Sequence, residues 1–172
     1  MAKVKVCIVD FNFLLRTAEY NIINECTITD CNEEDESQTF HISCGKKTLE
    51  HLKKIHFRQL NYNKVFYHDM PLDFGSIKFH QFRLVLEHEM DQFDIVYLKG
   101  TEKVKMFKSL VNNDLIAVRE LQTADCPSLE ELVSKCESSQ KSCSYHPGKY
   151  PHCTAFKAGS IFEWMKRNHK SR

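Results

Sequence analysis

Cys143, His146 and Cys153 stand close together in the run CSYHPGKYPHCTAF, residues 143–156. A thiol and an imidazole three positions apart can meet one ion from a single turn. Pro147-Gly148 can then reverse the chain and deliver a second thiol. Thiolate and imidazole are the donors that zinc favours, and a structural zinc takes four of them in a tetrahedron. Cys126 is the expected fourth ligand. It sits in Cys126-Pro127-Ser128-Leu129, which reads as a helix start, and a thiolate is favoured there. Cys136 and His152 are the alternatives. The spacing is neither a C-x2-C…H-x3-H finger nor a retroviral knuckle. A closed four-ligand shell leaves no position for substrate. The expected role is therefore a staple, tying the segment after Cys126 to the terminal helix across the polar loop that holds Ser138 and Ser139.

Two further groups of residues bear on function. Lys46, Lys47, Lys53, Lys54 and Arg58, with His51 and His56 between them and Tyr62, Phe66 and Tyr67 behind, interleave cations and aromatics. Single-strand nucleic-acid binders do the same. A basic tail, Lys166 to Arg172, can meet phosphates or simply complement the negative pole of a helix. The net charge of +1 supplies no strong overall field toward nucleic acid or membrane. No apolar run approaches the roughly 20 residues needed to span a bilayer. MAKVKVCIVDF reads as a first strand, not a signal peptide. Eight cysteines without a secretory signal point to a reducing compartment, cytoplasmic or nuclear, and leave thiols available for metal.

The elements that must position these groups fit one domain over residues 1–172. Val4–Asp10, Glu19–Thr29 and Gln38–Ser43 read as strands joined by short links, the last link being the acidic run Asn32–Glu36. They form an antiparallel meander. Thr48–Leu60 and Ile77–Glu89 read as helices, Asp94–Gly100 as a buried strand, Glu102–Val111 as a helix and Asp114–Val118 as a short strand. Thr154–Asn168 closes the chain as an amphipathic helix. The expected fold class is α/β, a mixed sheet of a three-strand meander plus parallel strands, covered by helices. Only five glycines occur, and none forms GxGxxG or GxxxxGK[ST], which argues against a doubly wound nucleotide-binding fold.

Three pieces together carry a family likeness. They are Ile8-Val9-Asp10-Phe11 at the end of the first strand, Ile95-Val96-Tyr97-Leu98-Lys99-Gly100 with its following helix, and Cys143-x-x-His146…Cys153-Thr-Ala155 before the last helix. In this order they span most of the chain, which resembles the Maelstrom domain, a branch of the DEDD-type exonuclease group with an RNase H-like fold. No HMG box, which often precedes that domain, stands in these residues. The resemblance implies a zinc site of Cys, His and sometimes Glu ligands. It also implies RNA binding or a part in small-RNA (piRNA-type) silencing of transposons.

A DEDD exonuclease needs four carboxylates to hold two divalent ions that activate water and stabilise the leaving oxygen. Asp10 fits the first. The Glu expected two residues on is Asn12, and the nearest acid after the Tyr97-Leu98 strand is Glu102, which also reads as an ordinary first-turn helix acid. The last motif, His-x-Ala-x-x-Asp, reads Cys153-Thr-Ala155-Phe-Lys-Ala158. No catalytic residue is assigned; Asp10 reads equally as a remnant of such a site and as a strand-end acid satisfied by nearby backbone donors. The expected function is a catalytically silent, zinc-binding, nuclease-like module (a pseudonuclease) that binds RNA or a protein partner, with no small-molecule cofactor. The alternatives are an active RNA nuclease with a non-standard site around Asp10, and a protein-interaction adaptor that contacts no nucleic acid.

Overall fold

The structure, a computed structural model, describes residues 3–17, 21–33, 36–45, 49–50, 52–65, 69–121, 125–136, 143–146 and 150–169. The elements run β1 (Val6–Arg16), β2 (Asn21–Asp30), β3 (Ser37–Ser43), α1 (Lys54–Asn63), β4 (Ile77–Lys78), α2 (Phe79–Met90), β5 (Ile95–Leu98), α3 (Thr101–Leu110), β6 (Ala117–Glu120), α4 (Leu129–Ser134) and α5 (Thr154–His169). Six strands form one mixed sheet in the order β4-β3-β2-β1-β5-β6. β1, β2 and β3 pair antiparallel, while β1–β5, β5–β6 and β3–β4 are parallel. The fold is thus α/β, with the expected meander beside parallel strands.

Alternation along β1 divides the molecule, because successive side chains of a strand point to opposite faces. Cys7, Val9 and Phe11 face a core closed by Phe82, Leu86 and Met90 of α2 and Met106 and Phe107 of α3. Ile8 faces the other way, toward Leu132 of α4 and Ala158, Ile161, Phe162 and Met165 of α5. Asp10 and Asn12 share that second face by register, and both are buried. The ladder shifts register between Asn12 and Leu15. Beyond the shift Leu14, Leu15 and Ile22 join Leu52 and Leu60 in a third cluster under α1.

Several boundaries differ from the sequence reading. Helix α1 starts at Lys54, because Lys53 is extended and ends the preceding segment. The segment 114–116 is a turn, with the Leu115 N–H donating to Asn113 Oδ1 (3.0 Å), so β6 begins only at Ala117. Ile77-Lys78 pairs with β3 before α2 begins. Helix α4 begins at Leu129 behind a Ser128 cap, whose side chain and that of Glu131 satisfy each other's backbone N–H. No helix among the described residues is long and apolar enough to cross a membrane.

Candidate metal centre

Glu25 stands in the middle of β2, in the sequence Asn21-Ile-Ile-Asn-Glu-Cys-Thr-Ile-Thr-Asp30. Register sets it between Asn12 on β1 and His41 on β3. A carboxylate at the centre of a sheet must find donors or pay a large desolvation cost. It finds them. Asn12 Nδ2 donates to Glu25 Oε2 (2.8 Å), and so does the backbone N–H of Thr154, the first residue of α5 (3.0 Å). His41 Nε2 and His146 Nδ1 each lie 3.5 Å from Oε1, and the Cys153 thiol lies 3.7 Å from it. Burial alone would push the Glu25 carboxyl up. The bonds from His146, His41, the Thr154 backbone and Cys143 outweigh burial and hold it well below the usual carboxylate range.

Cys143, His146 and Cys153 complete the group. The His146 N–H donates to the Cys143 sulfur (3.2 Å), which closes the turn 143–146 and brings His146 Nδ1 within 3.2 Å of the same sulfur. Cys153 is fixed at the mouth of α5. Its N–H donates to the Tyr150 carbonyl (3.0 Å), and its own carbonyl accepts from the Lys157 N–H (3.0 Å). Hydrogen bonding to Cys143 pulls the Cys153 thiol down, against the opposing effect of burial, and pushes Cys143 up. His146 stacks on Tyr150 with ring centres 4.4 Å apart, and Tyr145 meets it edge-on at 5.0 Å. Phe74 bridges Tyr145 and His41. Gly75 next to it runs against β3, where an added Cβ would lie 2.3 Å from the His41 carbonyl oxygen.

One donor atom from each of Glu25, Cys143, His146 and Cys153 lies within 4.8 Å of every other, and all four residues are buried. Two sulfurs, a ring nitrogen and a carboxylate oxygen converging from three directions can hold a metal ion. The donor set fits one: β2, the 143–146 turn and the mouth of α5 each supply donors, and the donor atoms lie mutually close.

Three of the four expected ligands meet here, and Cys126 does not. Cys126 lies beside the Ile8–Phe162 cluster, half-buried, with its carbonyl accepting from Lys99 Nζ (3.3 Å). It stands two residues before the Ser128 cap, not at a helix N-terminus, and burial pushes its thiol up, not down. Glu25 takes the fourth position instead. Of the alternatives, Cys136 faces Glu163 at 3.5 Å, and His152 contributes its carbonyl to Asn12 Nδ2 (2.6 Å). The one local signal for Glu25 is an acid flanked by Ile22, Ile23, Cys26 and Ile28 in a strand, which calls for partners once that strand is buried. All eight cysteines are free.

Asp10, one register step from this group and fully buried, is gripped by two lysines. The Lys103 ammonium pairs with Oδ1, and Lys157 Nζ lies 3.2 Å from Oδ2. Lys157 also donates to Asn12 Oδ1 (2.5 Å). Asn12 thereby joins the two centres: its oxygen faces the lysine and its amide hydrogens face Glu25 and His152. Glu102, the acid nearest to a second catalytic position, is half-exposed and pairs with Lys105 (3.6 Å). The next residue, Lys103, is the one that reaches Asp10.

Of the expected nucleic-acid contacts, Lys53, Lys54 and Arg58 are exposed on and just before α1. Lys46 and Lys47 lie outside the described residues, as do His51, Phe66, Tyr67, Ser138 and Ser139. No protein-family profile and no curated protein matches the chain.

Proposed function

We propose that this chain is a zinc-stapled, RNase H-like module that binds single-stranded RNA without cleaving it. The reading rests on one observation above all: the buried Asp10 carboxylate is held by the ammonium groups of Lys103 and Lys157. Two-metal hydrolysis needs divalent cations beside several anionic oxygens. Here two ammonium groups occupy the oxygens of Asp10, and the neighbouring acid position is the amide of Asn12. The lysines supply positive charge to Asp10, which speaks against its serving as a metal ligand.

The strand order supports the fold half of the reading, because a meander continuing into parallel strands on the far side of β1 is what the Maelstrom resemblance implies. The donor set supports zinc. Ligands at about 2.0–2.3 Å from a tetrahedral zinc lie roughly 3.3–3.8 Å apart, and the contacts among Glu25, Cys143, His146 and Cys153 run from 3.2 to 3.7 Å where they are closest. A closed shell of this kind pins α5 and the 143–146 turn to β2. Small-RNA silencing is the setting the resemblance offers for such a module.

The test uses labelled single-stranded RNA with Mg²⁺ or Mn²⁺. Retention that weakens as salt rises, with the RNA intact, is the expected result. Cleavage abolished by Asp10→Ala would replace this reading with that of an active nuclease. No retention at low salt would replace it with a protein adaptor.

A further inference from the structure

Two thiols stand side by side in the metal centre. Cys143 and Cys153 hydrogen-bond to each other, and their sulfurs lie within 4.8 Å. Their anchors differ in stiffness. Cys153 is locked at the mouth of α5, its N–H donating to the Tyr150 carbonyl and its own carbonyl accepting from the Lys157 N–H. Cys143 stands on the 143–146 turn, and its sulfur accepts from the His146 N–H of that same turn. The turn can carry this sulfur the remaining way to a disulfide, about 2 Å between sulfurs, without moving a strand or a helix.

Other cysteines are placed less favourably for oxidation. Burial pushes the thiols of Cys7, Cys26, Cys44 and Cys126 up, and the Cys136 thiol donates to Glu163. The thiolate, not the thiol, is the reactive form. A sulfur bound to a metal is deprotonated outright. With the site filled, Cys143 and Cys153 are therefore two thiolates in contact, and each can resolve an oxidised form of the other.

We infer that Cys143 and Cys153 are a dithiol–disulfide couple, which a hydroperoxide oxidises, so that both sulfur ligands are withdrawn from the metal. This deepens the zinc-staple reading and rests on it for the metal. Cys143, 6% exposed against 0% for Cys153, meets the oxidant first. Its thiolate takes one oxygen of hydrogen peroxide, the O–O bond breaks and hydroxide leaves. The Cys153 thiolate then attacks the sulfenic sulfur, the S–S bond forms and a second hydroxide leaves. Two electrons pass from the sulfurs to the peroxide, and two protons from solvent turn the hydroxides into water. Glu25 and His146 then remain of the four donors, too few for a closed zinc shell. The disulfide ties the 143–146 turn to α5 but no longer to β2. The Thr154 N–H bond to Glu25 still holds α5 on the sheet, so oxidation loosens the turn and leaves the helix docked.

The test treats the zinc-loaded full chain with hydrogen peroxide beside a metallochromic chelator. Zinc should be released in step with the loss of two free thiols per ion. Peptide mapping should find the Cys143–Cys153 disulfide, and dithiothreitol with added zinc should restore both thiols and metal. Cys136→Ser leaves the four ligands in place and removes the nearest competing thiol of the same cluster, so it should release zinc as the parent does. Zinc kept while the chain is oxidised elsewhere, a disulfide to Cys136, or sulfinic acids without a disulfide overturns the couple and leaves the zinc staple standing. A parent chain that takes up no zinc yet forms the Cys143–Cys153 disulfide does the reverse.

Discussion

Two buried carboxylates on one face of the sheet have opposite surroundings. Glu25 is met by thiols and imidazoles, which carry lone pairs for a metal, and by amide N–H donors that fix its other oxygen. Asp10 is met by two ammonium groups, which carry positive charge and have no lone pair to offer. The same functional group is a candidate ligand in one place and a counter-ion in the other. Asn12 separates the two regimes, since its oxygen accepts from Lys157 while its nitrogen donates to Glu25. The identity of an acid therefore says little about its chemistry until the charge that faces it is known.

The largest effect that would break this contrast comes from Asp10→Ala. Removing one partner of a buried ion pair leaves the other charge uncompensated and costs about 3–5 kcal/mol. Denaturant unfolding should show that loss, and Lys103→Met in the same chain should recover part of it. A decrease under about 1 kcal/mol would mean that the lysines are solvated and do not fill a cation position. Asn12→Asp is the next in size. It replaces two donors by an acceptor facing Glu25 Oε2 and the His152 carbonyl, so a cost of about 1–3 kcal/mol is expected. An unchanged midpoint would show that the two centres are independent.

Acid titration sharpens the comparison from the Glu25 side. Its folded value lies below its unfolded value of about 4.3. The stability it contributes is therefore complete above that pH and is lost as pH falls through the folded value. Glu25→Gln should start less stable at neutral pH and decline less below about pH 4 than the parent. A parallel decline would remove Glu25 as a source of acid sensitivity. Gly75→Ala is expected to cost roughly 1–3 kcal/mol, comparable to Asn12→Asp, as an alanine takes a positive φ and the backbone shifts to relieve the contact with His41. Metal content should be retained, because His41 is not a member of the four-residue group.

Much of the architecture was legible because it is written locally. The β-branched runs of β1 and β5 and the apolar stripe of α5 state their own burial. Cys143, His146 and Cys153 lie within one short segment, so their convergence could be read from spacing. Glu25 could not, because 128 residues separate it from Cys153 and only the β1–β2–β3 register brings it there. Lys103 and Lys157 look like ordinary helix cations in the sequence. Their inward direction follows from where α3 and α5 lie against Asp10, which no local pattern encodes. Cys126 failed as a ligand for a local reason that was visible: Ser128, with Glu131 three positions on, is the better helix cap, and it moves the helix start past the cysteine.

The most direct measurement is the metal content of the purified chain beside that of Cys153→Ser and Cys126→Ser. The account predicts one zinc per chain in the parent and in Cys126→Ser, and none in Cys153→Ser, which should melt roughly 10 °C lower. A parent chain without stoichiometric metal, or one whose metal is lost with Cys126 and kept without Cys153, would contradict it.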